Sequence, residues 1–405
     1  MKLKVSLIVL LLLLFIGVVI SSQRVTSAVS FTEAPTGFDN QPNGLVSQAT
    51  FDADRETFDS QEDIDEGLGP VFNARSCGEC HSNPVSGGGS QITELRAGHY
   101  DGHDFIPHPG GSLINDRAID PLIQERILAG NEVRALRLSP SALGLGYVEA
   151  VDDNTLIDLA RSQFFQSGGR IAGQVIKVPV VEANGALRVG RFGWKNQNSS
   201  LVSFAADAYL NEMGITSPLQ PIENTSNGNS VADYDKVAEP EDNGADVAKF
   251  AEFIRATKGP PRDTALANTP DALVGAQLFN QVGCAVCHTT TMRTSPVGAV
   301  INGGQFTVPD ALGNKIIHPY SDFLLHDVGT GDGIVQNGGP LSRNKVRTAP
   351  LWGLRVRTRL MHDGVSLTPR DAVLRHEGEA RFVINNFRGL SDQQKNQLLI
   401  FLRSL

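Results

Sequence analysis

The spacing of apolar residues predicts two helices and one extended segment. In residues 271–282 the apolar positions recur every three or four residues, which indicates a helix that leads into Cys284. Residues 391–405 carry a second apolar stripe at helical spacing, which predicts a helix that closes the chain. Residues 175–181 form a continuous apolar run, which is compatible with a strand or with a buried loop.

The N-terminus has the pattern of an export signal. Lys2 and Lys4 precede an apolar run over residues 5–20, and small residues follow up to Ala28. This order is typical of a signal peptide over residues 1–28, with Ala28 as the last residue before cleavage. The run is shorter than the about 20 residues that span a bilayer, and an uncleaved anchor is the alternative. Both interpretations predict a periplasmic protein, soluble after cleavage or membrane-anchored without it.

Length and composition exclude several classes of protein. The 405 residues correspond to about two domains of ~150 residues each. Hydrophobic residues make up 40% and charged residues 20%, as in a soluble globular chain. Lys and Arg number 35 against 44 Asp and Glu, and the resulting net charge of −9 argues against a nucleic-acid partner. Four cysteines are too few for a disulfide-stabilised scaffold.

The four cysteines form two C-x-x-C-H motifs, the signature of covalent c-type haem attachment. The motif residues are Cys77, Cys80 and His81 in the first and Cys284, Cys287 and His288 in the second. Cysteines three residues apart lie on one side of a helical turn, where both can bond one porphyrin edge. The histidine that follows is placed to be the proximal iron ligand. A redox dithiol or a four-cysteine zinc site would not need a histidine after each pair. Two covalent haems are therefore predicted.

The helix, haem motif and closing helix of the C-terminal third follow the order of cytochrome c. A run rich in Asn, Ser, Pro, Asp and Glu separates this part from the first motif and is typical of a linker. We therefore predict an N-terminal haem domain over residues 29–220, a linker over 221–245 and a C-terminal cytochrome c-like domain over 246–405. With 41 glycines and 21 prolines, the predicted fold is mainly α, two cytochrome c-like haem domains with long irregular loops.

The chain resembles the superfamily of bacterial di-haem cytochrome c peroxidases and methylamine-utilisation di-haem oxidases. It is most similar to the di-haem oxidoreductase branch, also labelled thiol oxidoreductase-like. The stretches that carry the resemblance are GLGPVFNARSCGECH (67–81), GGSLINDRAI (110–119), VGRFGWK (189–195), NEMGITSPL (211–219), SDFLLHDVGTGDG (321–333), RTAPLWGL (347–354) and MHDGVSLTPRDAVLRHEGEA (361–380). They follow one another over nearly the whole chain after residue 28.

The resemblance implies two catalytic residues. Superfamily peroxidases place a tryptophan between the haems, and Trp194 stands at the matching position before the segment Glu-Met-Gly. Trp194 is thereby the implied electron relay, and Glu212 the implied distal acid and base. The peroxidases also carry a glutamine on that helix, whereas residues 201–204 here read LVSF.

The resemblance also implies further iron ligands. At the second haem it implies His376 opposite His288, with Met361 as the competing ligand. At the first haem it implies a displaceable distal histidine, for which His99 is the candidate and two nearby histidines are alternatives. A calcium ion between the haems is a further implication, carried here by the segment Thr-Ala-Pro at residues 348–350. Arg191, Arg347 and Arg355 are candidates to neutralise haem propionates.

Together these features predict an exported di-haem oxidoreductase with peroxidase-like activity. Electrons would enter at the C-terminal haem and pass Trp194 to the N-terminal haem, where peroxide or another small oxidant is reduced. The expected partner is an electron-donor protein such as a small cytochrome or a cupredoxin. Enzymes of the superfamily are often dimers, so the resemblance also implies a homodimer. Two alternatives are a non-enzymatic di-haem electron-transfer cytochrome and an oxidase that acts on a partner protein.

Overall fold

The computed structural model describes residues 30–405, so the predicted signal peptide lies outside the described residues. The α-helices in this part of the chain are α1 (Gln48–Asp59), α2 (Cys77–Cys80), α3 (Leu145–Glu149), α4 (Asp153–Gln166), α5 (Leu201–Met213), α6 (Ala245–Ala256), α7 (Thr264–Ala267), α8 (Pro270–Val282), α9 (Pro369–Leu374), α10 (Arg381–Gly389) and α11 (Asp392–Arg403). The strands are β1 (Thr32–Glu33), β2 (Val71–Phe72), β3 (Thr93–Tyr100), β4 (Phe105–Pro107), β5 (Leu113–Ile114), β6 (Arg117–Ala118), β7 (Val133–Leu138), β8 (Lys177–Val180), β9 (Ala186–Val189), β10 (Met292–Arg293), β11 (Val300–Ile301), β12 (Phe306–Thr307), β13 (Lys315–Ile317), β14 (Leu325–His326) and β15 (Val346–Arg347). None of the helices within residues 30–405 is long and apolar enough to cross a membrane.

The prediction of a mainly α fold is wrong. Helices account for 34% of the structure and strands for 16%, which makes the fold mixed α and β. In the largest sheet, β3 pairs antiparallel with β4, β5 and β7. Strands β3 and β7 bury the charged residues Arg96 and Arg137, so the apolar–polar alternation that identifies a half-buried strand is absent from them.

Both helices predicted for the C-terminal third are confirmed. The hydroxyl of Thr269 caps the start of α8, and Gly283 ends the helix in the left-handed conformation with φ 103°. The hydroxyl of Ser391 caps the start of α11. Helices α8 and α11 pack closely at Gly275, where any larger side chain would collide with the backbone of Gln397. Glycine is therefore required at this crossing.

The apolar run over residues 175–181 contains a strand, as one of its two interpretations predicted. Strand β8 pairs antiparallel with β9, and Val178 and Val180 are buried. Their alternation with exposed residues follows the two-residue period of a strand.

Two apolar cores surround the two cysteine pairs. The first core contains the rings of Phe51, Phe58 and Phe253 from α1 and α6, and Cys77 packs against it. The second core is built largely from α8, α10 and α11, and Cys284 packs against it. Residues 31–405 form a single unit by their contacts, and the domain boundaries at 220 and 245 stay predictions.

Candidate functional site

The first C-x-x-C-H motif lies on the single helical turn α2. The hydroxyl of Ser76 caps this turn by accepting a hydrogen bond from the backbone of Glu79 at 3.1 Å. His81 follows directly, and its Nδ1 lies 3.1 Å from the carbonyl oxygen of Gly88. Because Nδ1 donates its hydrogen to the carbonyl, Nε2 is the nitrogen that carries the free lone pair. Burial also lowers the pKa of His81, which favours the neutral imidazole. The chain thus presents a neutral, oriented imidazole beside the cysteine pair.

The second motif is built differently but presents its histidine in the same way. Gly283 ends α8, and the chain turns through a short 3-10 segment that carries Cys284. The Nδ1 of His288 lies 2.9 Å from the carbonyl oxygen of Tyr320. Burial lowers the pKa of His288 to about 4, so its Nε2 is also a neutral donor for a metal ion.

The burial of the cysteines disfavours the thiolate form that dithiol redox chemistry uses. All four are free thiols in the structure. Burial raises the pKa of Cys77, Cys80 and Cys284 to about 12. Reactive dithiols work as thiolates with lowered pKa values, so the redox-dithiol alternative gains no support.

Each motif opens into its own cavity. The first cavity has a volume of about 340 Å³ and brings together His81, both cysteines of its motif, Trp194 and Glu212. The second cavity has a volume of about 200 Å³ and brings together His288, its two cysteines, His376 and Met361. The structure therefore brings these predicted residues to two separate cavities.

One wall is common to both cavities. It consists of residues 138–141 together with Trp194 and Arg347, which line the first and the second cavity alike. Trp194 is 8% exposed, and its indole Nε1 donates to the carbonyl oxygen of Leu138 at 2.7 Å. The ring of His362 meets the Trp194 ring edge-on, with centroids 6.0 Å apart. Trp194 therefore lies in the wall that the two cavities share.

The spacing of His288 and His376 fits two imidazoles on one metal ion. Their ring centroids are 6.5 Å apart, and the Nδ1 of His376 lies 2.8 Å from the carbonyl oxygen of Ala372. Both imidazoles line the second cavity and lie close together, as two ligands of one metal ion must. Met361 also lines this cavity, with a φ of 66° that is unusual for a residue with a side chain.

Glu212 lies in the first cavity with a second carboxyl group. The amide of Asn73 donates to Glu212 Oε2 at 3.0 Å. Burial and the neighbouring charge of Glu94 raise the pKa of Glu212 well above its ordinary value. Glu94 in turn pairs with Arg96, whose Nε lies 2.6 Å from Glu94 Oε1. Sequence reasoning missed Glu94 and Arg96, and their separation by one residue on a strand is the signal that places both on one face.

The structure does not bring His99 to the first haem motif. His99 lies on β3 with its side chain 47% exposed, and its Nδ1 pairs with Glu132 at 2.8 Å. His108 is buried but is bonded to Asn131 and Asn227, and neither it nor His103 lines the cavity. The predicted distal ligand is corrected: β3 directs His99 to the surface beside Glu132. Within residues 30–405, His81 is the one histidine that lines the first cavity.

The predicted arginines divide into structural and cavity-lining residues. Arg191 is committed to Asp153 and to backbone carbonyls, and Arg355 is exposed. Arg347 is 4% exposed and lines both cavities, and Arg357, which sequence reasoning missed, lines the second.

Burial lowers the pKa values of Arg347 and Arg357 to about 10. Among residues 30–405 neither has an ion-pair partner, and each donates to a backbone carbonyl instead. Arg347 is a buried cation and Arg357 a half-buried one, and a cation kept from water without an anion is costly, so the cavities fit a cofactor that brings its own carboxylates, as haem does.

The calcium prediction stays a prediction. Residues 348–350, the Thr-Ala-Pro segment that carried it, line the second cavity.

The family model for "Di-haem oxidoreductase, putative peroxidase" matches residues 118–405. The chain belongs to the di-haem oxidoreductase family. The family implies two haems and makes the protein a haem oxidoreductase, in agreement with the two cavities. No curated protein sequence matches the chain.

Several solved structures are similar to this protein at low sequence identity. The di-haem peroxidase BthA from Burkholderia thailandensis has 15% identity and a TM-score of 0.41, with 93% of this chain and 95% of that chain covered. A MauG-like protein associated with microbial copper homeostasis has 15% identity and a TM-score of 0.42, with 94% and 95% covered. Hydrazine synthase from Kuenenia stuttgartiensis has 13% identity and a TM-score of 0.39, with 93% and 90% covered.

Proposed function

We propose that this di-haem oxidoreductase is an exported peroxidase that reduces peroxide in its first cavity with electrons received at its second. The observation that carries the proposal is the difference between the cavities. Among the described residues, His288 and His376 line the second with ring centroids 6.5 Å apart, whereas His81 is the one histidine that lines the first, together with the carboxyl group of Glu212. A centre with two protein ligands suits electron transfer, and a centre with one ligand leaves a side for substrate.

Covalent attachment of both haems is part of the proposal. Each cysteine thiol would add across one vinyl group, so that its sulfur bonds carbon and its proton completes the new C–H bond. Cys77 and Cys80 would hold one haem, and Cys284 and Cys287 the other. When bound, the two haems supply the one-electron redox chemistry that the amino acids lack.

The chain's own residues would bind the metal ions, carry electrons between the cavities and donate a proton. His81, and the pair His288 and His376, hold the metal ions through Nε2 atoms that their Nδ1 hydrogen bonds leave free. Trp194 spans the shared wall and provides an aromatic path between the cavities. Glu212 holds a proton in the first cavity and donates it to the oxygen that leaves when the O–O bond breaks.

The electron donor is proposed to be a small redox protein such as a cytochrome or a cupredoxin. Reduction of one peroxide to water and an alcohol, or to two waters, consumes two electrons and two protons, and one-electron carriers supply these electrons singly. Export, calcium binding and a homodimer belong to the same proposal and rest on the sequence pattern and the resemblance.

Spectroscopy of the purified holoprotein tests the proposal. Optical and EPR spectra are recorded in the oxidised, half-reduced and fully reduced states, and peroxide is added to each. A high-spin signal that one redox state shows and peroxide consumes is the expected result. Two low-spin haems in every state, both indifferent to peroxide, would contradict it and favour a non-enzymatic electron carrier. Turnover of a protein substrate without peroxide reduction would favour an oxidase that acts on a partner.

A further inference from the structure

The first cavity contains an acid–base pair that neither the haem motifs nor the resemblance assigns. Glu94 and Arg96 lie two residues apart on β3, so their side chains leave the same face of the strand. Both line the cavity together with Glu212 of α5. Three ionisable side chains from two elements therefore line the same cavity beside the first haem motif.

The partners of Glu94 hold it as a carboxylate. Arg96 is 9% exposed, its Nε donates to Glu94 Oε1 at 2.6 Å, and its Nη1 donates to the Ser112 hydroxyl at 3.2 Å. Arg137 lies directly opposite Glu94 in the register of β3 and β7. The two arginines keep the pKa of Glu94 below its ordinary value in spite of burial.

Glu212 is the partner that keeps the proton. Its carboxyl group is within hydrogen-bonding reach of Glu94, and Asn73 donates to its Oε2 at 3.0 Å. Two adjacent carboxyl groups cannot both ionise easily, so they share one proton. Since Arg96 and Arg137 stabilise the charge on Glu94, the shared proton belongs to Glu212.

We propose that Glu94, fixed by Arg96, is a positioning residue that keeps Glu212 protonated and ready to protonate a peroxide. This inference rests on the proposed peroxidase function and names the groups that would supply its acid. In the step, the O–H bond of Glu212 breaks, a new O–H bond forms on the leaving oxygen and the peroxide O–O bond breaks. The donor protein supplies the two electrons, and solvent supplies the second proton and the proton that restores Glu212.

Several charged or titratable groups face this pair. They are Arg96 of β3, Arg137 of β7, Asp207 of α5 and Cys80 of α2. Cys80 would become a thioether in the holoprotein and lose its titration. Asp207 accepts a hydrogen bond from Asn198 at 2.9 Å, and burial raises its pKa. Glu94 nevertheless pairs with Arg96 and lies within hydrogen-bonding reach of Glu212, so it is the group whose charge acts on Glu212 most closely.

The pH profile of peroxide reduction separates this role from a structural one. In Glu94→Gln the neighbouring negative charge is lost, so the pKa of Glu212 falls. As the pH is raised, the variant therefore loses its activity at a lower pH than the wild type does. We expect the pH at which kcat falls to half its maximum to drop by at least about one unit, which is a tenfold change in the protonation equilibrium of Glu212, with activity recovered on acidification. Glu94→Asp keeps the charge and should restore most of the wild-type profile.

Glu132→Gln is the matched control. Glu132 lies beside the same sheet, and its substitution removes the same charge as Glu94→Gln. Its exposed carboxylate, however, is hydrogen-bonded to His99 and to the backbone of Tyr100 outside the cavity. Its pH profile should overlay that of the wild type. A Glu94→Gln profile that also overlays the wild type would overturn the proposal.

Infrared difference spectroscopy of the holoprotein tests the pair without turnover. The wild type should show the deuterium-sensitive C=O band of a protonated carboxyl group at pH 7, and Glu212→Gln should remove it. Absence of this band in the wild type would overturn the proposal even if Glu94→Gln failed to fold. A wild-type band together with no peroxide reduction would instead retain the acid pair and refute the peroxidase function.

Discussion

The imidazole rings of His288 and His376 both line the second cavity, with their centroids 6.5 Å apart and their planes inclined at 62°. They come from different parts of the fold, one directly after the cysteine pair and the other just beyond α9. Each ring is oriented by a bond from its Nδ1 to a backbone carbonyl. In both rings Nε2 is therefore the nitrogen that keeps its lone pair.

The first prediction concerns this pair. His376→Ala should convert the second haem from a low-spin to a high-spin centre, because one axial nitrogen is removed. His376→Met should instead raise its reduction potential by a sizeable part of the about 0.8 V range that axial ligands cover. EPR and a spectroelectrochemical titration measure both effects.

Met361→Leu is the control for the same cavity, since Met361 is the competing ligand. It should leave the spin state and the potential of the second haem unchanged. Loss of the low-spin signal in Met361→Leu, with its retention in His376→Ala, would assign the ligand to Met361.

The second prediction concerns the shared wall. Trp194→Phe should slow electron transfer between the haems by about tenfold or more, since it loses both the indole and the bond from Nε1 to Leu138. It should also lower the free energy of unfolding by about 1 kcal/mol for that hydrogen bond. Stopped-flow reduction by a one-electron donor, followed at the two haem bands, measures the rate.

Trp352→Phe removes the other tryptophan and is the matched control. Trp352 is 6% exposed but lines neither cavity, and it packs against Gly144 and Gly259. It should affect stability and leave the rate between the haems unchanged. Equal rates in the two variants and the wild type would remove Trp194 from the electron path.

The sequence was sufficient for parts of the site that depend on local geometry. The spacing in each C-x-x-C-H motif places two sulfurs and an imidazole at one cavity, and the resemblance singled out His376, which lines the second cavity. Helix α8 could be predicted because it has an apolar stripe, a capping threonine and a terminal glycine within one window.

The sequence was insufficient where long-range pairing decides the outcome. Strands β3 and β7 carry buried charges, and their pairing brings Arg137 opposite Glu94, forty-three positions away along the chain. His99 shares β3 with Glu94 but meets Glu132 at the surface, which spacing from the first motif could not reveal. In the sequence Arg357 cannot be distinguished from a surface arginine, because only the folded structure places it in the lining of the second cavity.

The third prediction concerns the buried pair of Glu149 and Arg255, which anchors the helix that carries Glu212. Glu149 is 0% exposed, pairs with Arg255 at 2.6 Å and accepts a hydrogen bond from the first residue of α5, Leu201, at 2.7 Å. Glu149→Ala would leave a buried cation alone and should lower the free energy of unfolding by about 3–5 kcal/mol. Urea unfolding followed by fluorescence measures the change.

The same pair predicts a pH dependence of stability. Arg255 holds the pKa of Glu149 below its ordinary value of 4.5, so the ionised form stabilises the fold above pH 4.5. This contribution to stability decreases as the pH falls below 4.5 and is gone once the pH is below the lowered pKa of Glu149. The stability difference between wild type and Glu149→Gln should therefore shrink in that window, and a difference that grows on acidification would contradict the pairing.

The fourth prediction concerns Arg357, a cavity cation without an ion-pair partner in the described chain. If it pairs with a haem carboxylate, Arg357→Met removes a positive charge beside the second haem and stabilises the oxidised iron. The reduction potential of that haem should fall by about 60 mV or more, the equivalent of a tenfold change in a one-electron equilibrium. Arg355→Met is the matched control, because Arg355 lies two residues away but is exposed and donates to the carbonyl oxygen of Pro261. Equal reduction potentials in the two variants would mean that Arg357 does not neutralise a carboxylate of the second haem.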